Sequence, residues 1–146
     1  MSRCLKEMMA LLLLVMLVVS CNRTQQFNKL KEEEKNLMQE LQQITRRSKW
    51  YILKEKVIPE AKGYPSAANQ QLYLAKEILK DLREAQYDAE AGSIKAQKKI
   101  ERLLRRVRDE AGFKANNVKQ AIESLTIWIK LLENIRRQQK LTKVKQ

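Results

Sequence analysis

An all-α fold is predicted for this chain by three features of its composition and patterning. Among 146 residues there are only three glycines, Gly63, Gly92 and Gly112, and two prolines, Pro59 and Pro65. The strong helix formers Leu, Lys, Gln, Glu, Ala and Arg abound. Apolar residues recur at spacings of three and four along four successive stretches, the period of helices with one buried face. The length fits a single domain. The commonest way to bury four such faces is an antiparallel bundle of three to four helices joined by short loops.

The chain opens with Arg3 and Lys6, followed by an uncharged, almost wholly apolar run over residues 8–19. As a helix this run reaches ~18 Å, well short of the ~30 Å hydrocarbon core that a spanning helix crosses. A positive start, an apolar middle and a small residue before a cut site describe a cleaved signal peptide over residues 1–20. The polar CNRTQQ segment, residues 21–26, has no periodicity and reads as a short tether.

A first helix is predicted from about 26 to 58, with Phe27, Leu30, Leu37, Leu41 and Ile44 on one face and Glu34 filling a gap in it. Its ending is set at Pro59, which lacks an N–H and clashes with the preceding turn. PEAKGYPS then reads as a loop, with Ser66 as N-cap of a second helix whose stripe is Leu72, Ala75, Leu79, Leu82 and Ala89. That helix reaches about Ala91. AGS offers a turn, with Gly92 in a left-handed cap and Ser93 capping a third helix over 94–111 that ends near Gly112.

The fourth helix is predicted over 117–138, with a stripe of Val118, Ala121, Ile122, Leu125, Ile129 and Leu132. Around LTIWIKLL its apolar surface extends almost all the way round, with Ile127 opposite that stripe. Two readings follow: the helix is central in the domain, or it carries an interface for self-association. The helical domain thus spans 27–138, and residues 139–146 form a basic, frayed C-terminal tail.

The same inventory argues against catalysis. There is no histidine, and Cys4 and Cys21 are the only cysteines. A His/Cys metal site lacks ligands, and Ser-His or Cys-His nucleophilic chemistry lacks its base. No enzyme, metal or cofactor is expected. The acidic residues lie among lysines and arginines in helical contexts, as on solvated faces.

The formal charge is +13, and it is concentrated most clearly on the third helix. At about 100° per residue, Lys95, Lys98, Lys99, Arg102, Arg105 and Arg106 fall on one face, opposite Ala96, Ile100, Leu103, Leu104, Val107 and Ala111. No acid lies among these six cations, since Glu101 points to the flank. Like charges one turn apart destabilise a helix by a few tenths of a kcal/mol per pair, roughly. A linear polyanion would be attracted by counterion release and by guanidinium contacts. LRRVRD also resembles a short heparin-binding pattern, although Arg108 departs from the face that holds Arg105 and Arg106. A second basic cluster, Arg46, Arg47 and Lys49, adjoins Trp50 and Tyr51, with the Trp read as core-facing.

The stretch LVVSC resembles the bacterial lipobox: Val18, Val19, Ser20 and Cys21 fill its aliphatic, tolerant, small and obligatory cysteine positions. The resemblance implies that Cys21 is the lipid attachment site, carrying diacylglycerol on sulfur, with cleavage before it and acylation of the new amine. Each buried methylene contributes ~0.8 kcal/mol, so several chains anchor stably. Loss of Arg3, Lys6 and Glu7 with the signal leaves 28 Lys/Arg against 16 Asp/Glu, a formal +12. The exported part keeps the positive charge. It also loses Cys4 and can hold no disulfide.

Lipobox, short tether and small lysine-rich helical domain together resemble the plasmid-encoded surface lipoproteins of Borrelia spirochaetes, of the small orf-D type. Members of that wider group bind host ligands, including decorin with its glycosaminoglycan chains and complement regulators. Beyond Cys21 the resemblance carries no binding residue over. It implies a lipid-anchored envelope protein, in the outer membrane and at the cell surface, with a host glycosaminoglycan or similar polyanion as partner. Export disfavours nucleic acid, and the anionic bilayer surface is a further candidate. A periplasm-facing assembly lipoprotein acting through the fourth helix is the alternative. Intact-mass analysis of the native product is expected to show a chain starting at an acylated Cys21, and Cys21→Ala is expected to leave residues 1–20 attached; a bare residue 21 contradicts the lipobox reading.

Overall fold

The computed structural model describes residues 2–45, 53–112 and 115–142, and every regular element among them is helical. In chain order these are α1 (Ser2–Thr45), a π-helical turn (Leu53–Val57), α2 (Ile58–Gly63), α3 (Pro65–Glu90), α4 (Ile94–Asp109) and α5 (Val118–Thr142). Helices α3, α4 and α5 correspond to the predicted second, third and fourth helices.

Helix α1 joins the expected signal segment, the expected tether and the first part of the predicted first helix into one element of 44 residues. Residues 21–26 are therefore helical rather than irregular. Extending a helix adds one hydrogen bond per residue fixed, and neither Gly nor Pro interrupts it there. Thr24 Oγ1 donates to the Ser20 carbonyl at 3.0 Å within this stretch. Residues 3–26 are exposed throughout. By length and composition α1 is the one described helix that could cross a membrane, a test that a signal sequence also passes. Burial begins at Phe27, and Glu34, Leu37 and Leu41 are buried on the expected stripe, with Leu30 and Ile44 half-buried.

The stretch around Pro59 departs from expectation. Pro59 lies in the first turn of α2 instead of stopping a long helix. Val57 is in helical backbone, so the π-helical turn runs straight into α2, and the missing proline N–H falls just past the point where the bonding pattern changes from π to α. Most of the expected PEAKGYPS loop is accordingly helical, and only Tyr64, in extended backbone, separates α2 from α3. Tyr64, not Ser66, caps α3: Pro65 occupies the first helical position and drives the preceding residue to extended geometry. The Arg46, Arg47, Lys49, Trp50 and Tyr51 cluster lies outside the described residues.

Gly92 and Ser93 behave as expected. Gly92 has φ +95°, its N–H reaches the Ala89 carbonyl at 3.0 Å, and the Ser93 N–H reaches that of Asp88 at 3.1 Å. These two bonds close the C-terminus of α3 through a left-handed residue. Ser93 Oγ accepts from the Ala96 N–H at 3.1 Å and starts α4. The tight turn folds α4 back along α3, against which it makes most of its contact.

Helix α5 is central. It packs on α1 and α3 along its length and also touches α2 and α4. Ala121, Leu125, Trp128, Leu131, Leu132 and Ile135 are all 1% exposed or less, and Ile127 and Ile129 are buried as well. The apolar girth of this helix is thus absorbed within the domain. The helix also runs to Thr142, so residues 139–142 are not tail: Gln139 is buried and its Nε2 donates to the carbonyls of Ala61 at 2.7 Å and Lys62 at 3.1 Å.

Polar contacts between helices fix the register. Asn134 Nδ2 donates to the Leu30 carbonyl at 2.9 Å, and Gln120 Nε2 to that of Ile44 at 3.1 Å, so α1 and α5 run antiparallel. Lys76 pairs with Glu133 at 3.5 Å between α3 and α5. The Glu34 carboxylate, in the middle of the α1 stripe, is held between Lys31 and Lys62. Trp128→Ala is expected to destabilise the domain by about 3–5 kcal/mol in urea denaturation, whereas Ile94→Ala, at a site 70% exposed, is expected to stay within about 0.5 kcal/mol.

Candidate functional site

The basic face of α4 follows from how that helix is buried. Ala96, Leu103, Val107 and, just beyond the helix, Ala111 are buried, and Ile100 and Leu104 are half-buried against the core. This is the predicted apolar stripe, and the opposite face is left to solvent. Lys95, Lys98, Lys99, Arg102 and Arg105 are exposed on it. None of these five has a carboxylate within ion-pairing distance among the described residues.

Arg106 differs from the other five. Half-buried, it donates from Nε to Glu110 Oε2 at 2.9 Å, one turn further on. Part of its charge is therefore committed within the chain. The sequence carried this signal in the four-residue spacing between Arg106 and Glu110. Arg108, off the stripe, forms a two-pronged contact with Asp109 at 2.9 and 3.4 Å. That hydrogen bond, with the adjacent negative charge, raises the Arg108 pKa from its ordinary value.

The resulting surface is a row of five cations, unneutralised among the described residues, along about 15 Å of helix. Its rigidity comes from the buried stripe beneath it and from the Ser93 cap. Such a row matches a chain of sulfate or phosphate groups better than a compact anion, because the charges are spread along an axis.

Cys21, the other residue singled out by sequence, lies exposed on α1, between the free apolar segment and the first buried residues. A further group of cations had no local signal: Lys29 from α1 and Arg137 and Lys140 from α5 meet along one groove, though more than a hundred residues separate them in sequence. No known protein family, curated protein or solved structure matches this chain.

Proposed function

We propose that the chain is a lipid-anchored bacterial envelope lipoprotein, displayed at the cell surface, whose helical domain binds an anionic host polymer of the glycosaminoglycan type through the basic face of α4. The scaffold is an antiparallel bundle in which α1, α3, α4 and α5 are the long members. The observation that carries the reading is the row of Lys95, Lys98, Lys99, Arg102 and Arg105, exposed and without an ion-pair partner among the described residues, on a helix whose other face is buried. The lipobox at Cys21 and the resemblance to Borrelia surface lipoproteins support the address. Binding, not catalysis, is the proposed activity.

The alternative, assembly through an apolar face of α5, finds less support. Ile127 and Leu131 are buried, and α5 has no exposed large hydrophobic side chain among the described residues. Full-length protein in detergent is expected to be retained on heparin, with log affinity falling linearly in log salt by roughly 0.7–0.9 per neutralised group. Lys99→Glu, Arg102→Glu and Arg105→Glu together are expected to abolish retention while leaving the urea midpoint nearly unchanged. Arg106 is spared in this variant because a glutamate there would face Glu110. Unchanged retention in the triple variant contradicts the assignment to α4.

A further inference from the structure

We infer that the end of the domain nearest the anchor is itself a membrane-contact surface, which lays Lys29, Arg137 and Lys140 against the anionic headgroups of the leaflet that holds the chain. The inference rests on the membrane attachment proposed above and is independent of the α4 ligand.

The placement follows from the antiparallel pairing. The bond from Asn134 to the Leu30 carbonyl sets residue 134 beside residue 30. Beyond that point α5 continues toward Thr142 while α1 runs back toward Cys21. The last turns of α5 therefore lie on the anchor side of the domain. A groove of about 460 Å³ opens there, floored by the half-buried Leu30 and Leu141 and flanked by Lys29, Arg137 and Lys140.

Charge decides the occupant. All three cations are exposed, and none has a carboxylate within ion-pairing distance among the described residues. The carboxylates closest in sequence are set back from the anchor: Glu32 and Glu33 lie about one turn beyond Lys29, Glu34 is held by Lys31 and Lys62, and Glu133 pairs with Lys76. From Cys21 to Lys29 is eight residues, or ~12 Å along a helix. Whether a thioether at Cys21 or the apolar part of α1 holds the chain, residue 21 marks the lipid–water boundary. Cations at that height feel an anionic surface within about one to two Debye lengths. An apolar floor with a basic rim suits the glycerol and phosphate region of a phospholipid better than a fully hydrated anion.

The full chain, reconstituted into vesicles of phosphatidylcholine with or without phosphatidylglycerol, tests this by lysine acylation with a water-soluble ester, read by mass spectrometry. Acylation of Lys29 and Lys140 is expected to fall about fivefold in the phosphatidylglycerol vesicles, while Lys95, Lys98 and Lys99 stay unchanged. The protection is expected to vanish near 1 M salt, where the Debye length is about 3 Å. Arg137→Glu is expected to weaken it. Equal acylation of Lys29 and Lys140 in both vesicles overturns the inference while leaving membrane attachment standing. Protection of the α4 lysines instead also overturns it, and failure of the chain to float with either vesicle overturns the attachment as well.

Discussion

The burial of α5 over all but the narrow stripe that carries Glu123, Lys130 and Arg137 is the constraint on which the rest of the structure depends. A helix so apolar around LTIWIKLL leaves only that stripe to water, so the chain packs it chiefly between α1 and α3 and, more lightly, against α2 and α4. Two of its buried amide side chains donate to backbone carbonyls on those neighbours: Asn134 to Leu30, and Gln139 to Ala61 and Lys62. Gln138 in turn donates to Asn134. A buried amide left without such a partner costs about 1–3 kcal/mol. These bonds therefore favour one register of α1 and α2 against α5 over its neighbours, where apolar contacts alone discriminate weakly.

The charged surface is a consequence of the same arrangement. With α1 and α3 occupying most of α5, α4 packs chiefly on α3 and needs only one apolar stripe. Its remaining face stays in water and can carry like charges at a small energetic cost per pair. The antiparallel pairing of α1 with α5 likewise brings the C-terminal cations of α5 to the level of Lys29. Two basic surfaces thus arise from one packing scheme, one along the outer helix and one at the end that faces Cys21.

Much of this was legible in the sequence where a residue's environment is local. The α1 stripe with Glu34 in its gap, the Gly92–Ser93 turn and the split of α4 into apolar and basic faces all follow from spacing and cap chemistry. The departures came where local signals have two meanings. A proline ends a helix or sits in its first turn, and Pro59 and Pro65 both lie in first turns. The polar segment at residues 21–26 lacks a stripe, yet helix extension from both sides carries through it. Whether the girth of α5 meant a core or an interface could not be read locally, because the answer lies in how many neighbours reach it. The same holds for the groove between α1 and α5, and for Gln139, whose partners are carbonyls of α2.

Native-state hydrogen exchange on the full chain tests the central position of α5 most directly, because it ranks helices by how much of the domain must open to free each amide. The account predicts that amides over residues 121–135 exchange last, slower than those over 95–107 of α4 by roughly tenfold or more. Amides of α4 that outlast those of α5, or an α5 that exchanges as fast as the exposed start of α1, would contradict it.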